Sequence, residues 1–198
     1  HAGVRGLIND IYLDDLRDKT HRGLAGQALK GFNTGGRCYG YSHIPIEDST
    51  RKDEHGRPLI VAVKREIKLD EAKWIRQIYA WYSEGHAPRW IAAELNRRSI
   101  PSPRGSTWAA SAIYGNMRTG SGLLNNELYV GRYVWNRSRW TREPDSGRRR
   151  RVPRPESEWI ICELPELRIL PQALWQSVKA RQQTQQQRSV NIRKSLHD

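Results

Sequence analysis

The side chains best suited to contacting a ligand lie on one short polar segment, residues 107–118 (TWAASAIYGNMR). Apolar residues at helical spacing predict a short helix that begins at Trp108 and ends near Arg118. The inward residues would be Trp108, Ala112, Ile113 and Met117. The outward residues would be Ser111, Tyr114, Asn116 and Arg118. In the major groove of DNA arginine pairs with guanine and asparagine with adenine, while serine and tyrosine more often hold phosphates. The segment therefore predicts a surface that contacts double-stranded DNA.

Cationic and hydroxyl side chains near this segment extend the expected DNA-binding surface. They are Arg89, Arg97, Arg98, Arg104, Thr107, Arg132 and Arg137. Each arginine that meets a backbone phosphate steepens the salt dependence of binding by about one unit of log–log slope. The chain carries 34 Lys and Arg against 21 Asp and Glu, a formal net charge of +13, so it can supply many such contacts. The alternative is that this excess only keeps the surface soluble.

The sequence lacks the common catalytic and metal-binding patterns. It contains no Gly-x-Ser-x-Gly motif and no His-x-x-x-His pair. Its two cysteines, Cys38 and Cys162, form no Cys-x-x-Cys pair, which argues against a structural zinc site. The glycine-rich segment 31–41 lacks the Gly-Lys-Ser/Thr ending of a phosphate-binding loop. We therefore expect no catalytic residue, no metal and no cofactor.

Length and composition bound the class of protein. A chain of 198 residues holds one domain or two small ones. A strongly basic chain favours an acidic partner, nucleic acid first and an anionic membrane surface second. No apolar run is long enough for a transmembrane helix and no signal peptide opens the sequence, so nucleic acid is preferred and no membrane partner is expected. Two thiols without a pairing pattern suit a reducing cytoplasm, where we expect association with the nucleoid.

A helix-turn-helix outline must position the polar segment. Residues 70–84 repeat apolar side chains at helical spacing, and a glycine follows them. Pro88 suits the first turn of a second helix, on which Ile91 and Leu95 lie one turn apart. The loop 99–107 (SIPSPRGST) cannot be helical because it contains two prolines and a glycine. Three helices with a polar third one are the outline of a helix-turn-helix DNA reader.

The flanking segments predict an α+β fold that is mainly helical. Residues 7–31 predict an opening helix with an apolar stripe. This stripe packs against an N-terminal domain that is missing here, against another subunit or against the core of this domain. Residues 42–67 predict a β-hairpin with a long mobile tip over 47–58. A strand over 127–140 precedes a polar turn with four arginines at 148–151, which beside a duplex would hold phosphates. A returning strand completes the small β element. A last helix completes the fold, and its polar end is predicted to be a linker.

Four longer segments carry a family resemblance. They are KTHRGLAGQALKGFNTGGRCYGY (19–41), DEAKWIRQIYAWYSEGHAPRWIAAELNRRSIPSPRGSTW (70–108), LLNNELYVGRYVWNR (123–137) and ELPELRILPQALWQSVKARQQ (163–183). Together they resemble the recombinase domain of the large serine recombinases, in the resolvase–invertase family. The likeness includes that family's Ile-Ala-x-x-Leu-Asn, Ile-Pro-x-Pro and Leu-x-Asn-x-x-Tyr-x-Gly patterns. Ala87 and Ala109 depart from it, since the family often has polar residues that cap the second and third helices.

The resemblance implies three parts: a linker helix from a catalytic domain (1–31), a helix-turn-helix-like recombinase core (32–135), and a part that completes the fold and leads to a zinc ribbon (136–198). It implies a parent protein of a mobile element that joins two DNA sites through a phosphoserine intermediate, with the serine in a preceding domain. This chain would recognise an attachment half-site and would not itself be an enzyme. Its partners would be double-stranded DNA and other recombinase subunits, in a dimer or tetramer. Two alternatives stay open: a non-catalytic helix-turn-helix transcriptional regulator, and a protein–protein module whose opening helix binds a partner.

Overall fold

Five α-helices and six strands make up the part of the chain that this computed structural model describes, residues 2–105, 107–143 and 145–195. The helices are α1 (Ala2–Leu29), α2 (Leu69–Ser83), α3 (Pro88–Arg97), α4 (Ala110–Tyr114) and α5 (Gln172–Ser195). The strands are β1 (Tyr41–Lys52), β2 (Pro58–Ile67), β3 (Arg132–Trp135), β4 (Ser138–Arg142), β5 (Arg149–Pro153) and β6 (Ile160–Glu163), paired as three two-stranded sheets. The expected α+β class is confirmed. Among the described helices, none combines the length and the apolar character that a bilayer span requires.

Helix α2 lies at the centre of the core because its apolar residues recur at helical spacing. Ile75, Tyr79 and Tyr82 are fully buried, as the sequence predicts. The long helix α5 packs against α2. Its Val178 is fully buried, and its Trp175 stacks on Tyr79 with 6.0 Å between ring centres. A fully buried side chain of this size contributes about 1.5–3 kcal/mol, so the α2–α5 contact is a firm base for the shorter elements.

Helix α3 and the loop after it are joined by one asparagine. The helix begins at Pro88, where the missing N–H leaves no helical bond unmade. Ile91 and Leu95 are buried, as expected. Asn96 donates through Nδ2 to the carbonyl of Trp108 (3.0 Å) and accepts the Trp108 N–H at Oδ1 (2.7 Å). These two bonds fold the proline-containing loop back onto α3 and place Trp108 in the core.

The third helix is shorter than the sequence predicts. Helix α4 has five residues and does not reach Arg118. Gly115 ends it by adopting φ +58° and ψ −138°, after which Asn116 forms a β-bridge with Ser121. Apolar spacing could not reveal this end, because a glycine inside a helical pattern is tolerated in many helices and reverses the chain only in some.

The first hairpin is almost entirely strand. β1 and β2 pair antiparallel, with Tyr41 opposite Ile67 at the base. The expectation of a long mobile tip over 47–58 is wrong, because only residues 53–57 form the turn, where Asp53 Oδ1 accepts two backbone N–H groups. Two register shifts let the polar residues of β1 continue the ladder. A strand that is exposed on both faces does not need apolar alternation, so its sequence resembles a loop.

The predicted strand over 127–140 is divided into three elements. A 3-10 turn at Glu127–Val130 precedes β3, and Asn136, at φ +68°, separates β3 from β4. β3 pairs with β6, the expected returning strand, whereas β4 pairs with β5. The arginines of 149–151, expected in a polar turn, therefore lie in a strand. A left-handed residue cannot continue a strand, but the sequence alternation runs straight across Asn136 and conceals the break.

Helix α1 contacts the rest of the domain mainly near its end. Ala28 is fully buried, and the thiol of Cys162 on β6 donates to the Ala28 carbonyl at 3.1 Å. Tyr12 and Leu16, by contrast, are 66% and 48% exposed. The predicted apolar stripe begins with Leu7, Ile8 and Ile11, of which the structure describes the backbone but not the side chains. Among the described residues, the other elements of the domain thus bury only the C-terminal end of this stripe.

Helix α5 is longer than expected and closes the end of α2. It continues to Ser195, so most of the predicted polar linker is helical. Arg181 donates to the carbonyl oxygens of Tyr82, in the last turn of α2, and of Gly85 and His86, just beyond it. The last carbonyl groups of a helix have no partner within it. Arg181 satisfies this need and fixes the turn between α2 and α3.

Candidate nucleic-acid interface

The predicted DNA-reading segment folds as helix α4 followed by a tight turn of residues 116–121, here called the 116–121 turn. Asn116 and Ser121 exchange both backbone hydrogen bonds, at 3.0 and 3.1 Å. The chain segments that enter and leave the turn cross at Gly115 and Gly122, whose φ angles are +58° and +86°. A Cβ on either glycine would overlap the backbone of the opposite arm. Only glycine fits such a crossing, so close backbone packing closes the turn at its base.

A buried amide supports the turn. Asn125, 3% exposed, donates through Nδ2 to the carbonyl groups of Tyr114 and Ser121, each at 2.7 Å. Lys179 of α5 donates to Asn125 Oδ1 at 2.7 Å and to the Leu124 carbonyl at 2.6 Å. Burial lowers the pKa of Lys179 to about 8. This chain of hydrogen bonds connects the turn to the α2–α5 contact.

The exposed side of α4 differs from the one expected. Ser111 is exposed, as predicted. Tyr114, expected to point outward, is half-buried, with its ring centre 6.3 Å from that of Tyr82. Ala112, expected to point inward, is exposed. The expected face was therefore wrong at these two positions. The helix is too short to keep the periodicity assumed for it, and Tyr114 fills the edge of the core instead.

Asn116 and Arg118 lie on the turn and not on a helix, and both are exposed. Asn116 Oδ1 accepts the backbone N–H groups of Arg118 at 2.9 Å and Thr119 at 3.3 Å. The carboxamide oxygen thus holds the turn together, which leaves Nδ2 for an outside ligand. No carboxylate among the described residues pairs with the Arg118 guanidinium. Arg118 is accordingly the most available of the side chains that the sequence predicts to read bases.

The two predicted phosphate-binding arginines at the end of α3 are already paired with a carboxylate. Glu94 Oε1 lies 2.7 Å from Arg97 Nη2 and 2.6 Å from Arg98 Nε. Hydrogen bonds from Arg97 and then from Arg98 lower the pKa of Glu94 to about 2. Arg98 also lies over the ring of Trp81, with 5.2 Å between the guanidinium carbon and the ring centre. Two cations share one carboxylate, so the end of α3 keeps a net charge of one.

Three further predicted contacts lie on exposed positions around α3. Arg89 is in the first turn of that helix, and Arg104 and Thr107 are in the loop that follows it. All three side chains are exposed. In the described ranges, no carboxylate pairs with either arginine. Their charge is therefore available to an anionic partner without first breaking an ion pair.

Arg132 and Arg137 lie together in a cleft of about 550 Å³, here called the arginine cleft. Both form ion pairs with Glu127, and Arg137 lies over Trp159 at 5.0 Å. Gly120 of the 116–121 turn lies against the Arg137 guanidinium, close enough that a Cβ would overlap it. The structure thus places the arginine cleft directly beside the turn that carries Asn116 and Arg118.

Sequence reasoning missed the residues that position this surface. Asn96, Asn125 and Lys179 make no contact that composition or charge suggests, yet they hold the loop and the turn. A weak signal existed, since Asn96 directly follows a core leucine and Lys179 directly follows a core valine. A polar residue next to a core position is more often solvated, which is why the pattern alone does not identify these three.

The comparisons with known proteins identify the family of the chain. No curated protein matches the chain. The Recombinase family matches residues 69–185, which is more than half of the 198 residues. The matched range runs from the start of α2 into α5 and contains the α3 arginines, the 116–121 turn and most of the residues that line the arginine cleft. The expected relationship to the serine recombinases is thereby confirmed at the level of the domain. With a match of this length, the chain belongs to the Recombinase family, and its role lies in site-specific DNA recombination.

Proposed function

We propose that this chain binds double-stranded DNA sequence-specifically and recognises an attachment half-site for a site-specific serine recombinase. The observation that carries this proposal is the 116–121 turn, which presents the exposed Asn116 and Arg118, is closed at its base by backbone packing and lies beside the arginine cleft in a Recombinase-family domain. A basic chain with a net charge of +13 supplies the general attraction to the phosphate backbone.

Reading base edges requires polar side chains on a backbone that does not move. Arg118 meets both conditions, because it is exposed, unpaired within the described residues and held on a turn that Asn125 supports. A free guanidinium donates two hydrogen bonds to guanine, which is the commonest specific contact in the major groove. Ser111 and the free Nδ2 of Asn116 would add contacts on either side.

The other cations position the duplex. Arg89 and Arg104 are exposed and without a paired carboxylate among the described residues, so each can take one phosphate. Arg132 and Arg137 share Glu127, and Arg132 Nε also lies 3.8 Å from Glu163 Oε1, so both guanidinium groups are already paired. A phosphate at the mouth of the arginine cleft would compete with Glu127 for these guanidinium groups.

In this proposal the domain recognises DNA and does not cut it. The resemblance to the large serine recombinases implies a separate catalytic domain, to which residues 1–31 would connect the recognition core of 32–135. Residues 136–198 would complete that core. Binding of other recombinase subunits and a place at the nucleoid belong to the same proposal.

The test selects preferred sequences from a pool of random DNA duplexes and then measures the affinity of variants for preferred and unrelated duplexes. We expect Arg118→Ala to lose the preference while retaining most of the general affinity. Arg104→Ala should weaken all duplexes alike and lower the salt slope by about one.

Arg57→Ala is the matched control, because it removes the same charge from the exposed end of the β1–β2 hairpin. It should leave the sequence preference unchanged. A wild-type protein that selects no sequence from the pool, or an Arg118→Ala variant that keeps the full preference, would contradict this assignment of the surface.

A further inference from the structure

The hairpin of β4 and β5, here called the arginine ribbon, is exposed and independent of the other sheets. Within the described residues its strands pair only with each other, from Ser138 opposite Pro153 to Arg142 opposite Arg149. Trp140 on β4 is 60% exposed. An isolated two-stranded hairpin is marginally stable in water. Burial of apolar surface therefore does not account for this element.

One face of the arginine ribbon concentrates charge around an aromatic ring. Residues directly opposite one another in an antiparallel pair project from the same face. Trp140 is opposite Arg151 and Arg142 is opposite Arg149, so these four share a face. The guanidinium of Arg149 lies 5.4 Å from the ring centre of Trp140. The result is a cationic surface with an exposed indole in it.

The charges of the ribbon destabilise it in isolation. Arg142 and Arg149 face each other directly, and like charges in that position repel. The opposite face adds Arg139 and Arg150. No carboxylate in the described ranges pairs with any of these four arginines. A polyanion would relieve the repulsion, whereas nothing in the described fold does.

The dimensions of the ribbon match a DNA groove. Strands of five residues are about 16 Å long at about 3.3 Å per residue. The major groove of B-DNA is about 12 Å wide and admits a two-stranded ribbon. Phosphates line both walls of the groove, and the ribbon carries arginines on both strands. A single strand or an acidic peptide would match one row of arginines only.

The base of the ribbon adjoins the proposed recognition surface. Ser138, Arg139 and Arg151 line the arginine cleft together with Thr119 of the 116–121 turn. Arg151 Nε donates to Ser138 Oγ at 2.6 Å, which fixes this arginine at the base. One duplex can therefore contact the turn and the ribbon along a continuous cationic surface.

We propose that the arginine ribbon is a second duplex-DNA contact, which enters a groove next to the site of the 116–121 turn and binds phosphates on both walls. Arg142, Arg149 and Arg150 take phosphates, and Trp140 lies against the sugars between them. This inference rests on the proposed function in naming duplex DNA, but it depends on different residues.

The experiment measures binding of a mixed-sequence DNA duplex across a series of salt concentrations. The ribbon variant combines Arg142→Gln, Arg149→Gln and Arg150→Gln. If each arginine takes one phosphate, the salt slope falls by about 2.7 relative to wild type. Thermal unfolding of the free variant should occur at the same or a higher temperature, since the Arg142–Arg149 repulsion is gone.

The control variant removes the same charge from the other hairpin, with Lys52→Gln, Arg57→Gln and Lys64→Gln. These three side chains are also exposed. The control should lower the slope by much less, because net charge alone acts only through long-range attraction. Equal losses of slope in the two variants would overturn the ribbon contact.

The outcomes separate this inference from the proposed function. If the wild-type protein shows sequence preference and the ribbon variant has the same salt slope as the control variant, the ribbon contact alone is overturned. If the wild-type protein shows no sequence preference but the ribbon variant loses much of the salt slope, the recognition role is overturned and the ribbon contact is supported. A wild type that does not bind duplex DNA overturns both. Tighter binding of single-stranded DNA, duplex RNA or polyglutamate, when lost in the ribbon variant, overturns duplex DNA as the partner of the ribbon.

Discussion

Individual residues of the proposed interface differ in how available their charge is. Arg118 and Arg104 have no paired carboxylate among the described residues. Arg97 and Arg98 share Glu94 at 2.7 and 2.6 Å. A phosphate can bind the first two directly, but at the end of α3 it must compete with a carboxylate that is already in place. Exposure alone therefore overstates the contribution of Arg97 and Arg98.

Glu94→Gln tests this competition. Removing the carboxylate releases Arg97 and Arg98 and raises the net charge at the end of α3 from one to two, so duplex affinity should rise and the salt slope should steepen by about one. Fluorescence anisotropy at several salt concentrations measures both quantities. Glu47→Gln is the control, since it makes the same charge change at an exposed position of β1. The same rise in affinity in both variants would show that Glu94 has no local effect.

The same ion pairs give a pH dependence of defined sign. The pKa of Glu94 is about 2 in the folded chain, below its ordinary value of 4.5. A lowered acid pKa means that the stabilisation is complete above 4.5 and is lost as the pH falls towards 2. The stability difference between wild type and Glu94→Gln, from thermal unfolding, should therefore shrink over that interval. A difference that is constant over this range would argue against the ion pairs.

At the scale of elements, α4 and the 116–121 turn depend on side chains from elsewhere. A five-residue helix is not stable alone, because helix nucleation is unfavourable. Asn96 fixes the chain just before α4, and Asn125 fixes the chain just after it. The proposed recognition surface is thus positioned by two amides that this proposal does not place in contact with DNA.

Asn125→Ala should separate positioning from contact. It removes the side-chain donor to the carbonyl groups of Tyr114 and Ser121 and one acceptor of the Lys179 ammonium, at a cost of about 1–3 kcal/mol in the free energy of unfolding. Sequence preference should weaken as well, since the turn loses its support. Urea denaturation and selection from a random duplex pool measure the two effects.

Gln183→Ala on the exposed side of α5 is the control for that variant and should change neither quantity. An Asn125→Ala protein that is less stable but has unchanged sequence preference would show that the turn keeps its conformation without the buried amide.

How far these elements could be predicted depends on what ends them. The face of α2 follows from the spacing of Ile75, Ile78 and Tyr82, and α3 follows from Pro88 and the apolar residues after it. The ends of α4 and β3 do not follow from spacing. They depend on left-handed backbone at Gly115 and Asn136, which long-range contacts select. The roles of the side-chain amides of Asn96 and Asn125 could not be predicted from apolar spacing for the same reason, since their hydrogen-bond partners lie on other elements.

At the scale of the whole molecule, one core joins segments that are distant in sequence. The hydroxyl of Tyr41 donates to the carbonyl groups of Leu128 at 3.0 Å and Leu167 at 2.8 Å. Tyr129 is buried against Tyr79, with 6.2 Å between ring centres. The segments 32–135 and 136–198 thus share one interior, and we expect them to unfold together.

Cys38 can report on that cooperativity. Burial raises the pKa of its thiol, and Asn126 Nδ2 donates to the sulfur at 3.0 Å. A raised pKa leaves little thiolate at pH 8, so iodoacetamide should react slowly with Cys38 in the native protein. Peptide-level mass spectrometry across a urea series should show labelling that follows the circular dichroism transition. Labelling well below that transition would reveal a separate opening of this region.

The crossing of Gly115 and Gly122 restricts how this family member can diverge. Each glycine excludes a side chain on the other by contact with backbone, so no compensating substitution elsewhere can release either position. The side chains at 116–119 carry no such restriction from that crossing. New target preferences can therefore arise by substitution of a few exposed side chains in the turn, while both glycines must be retained.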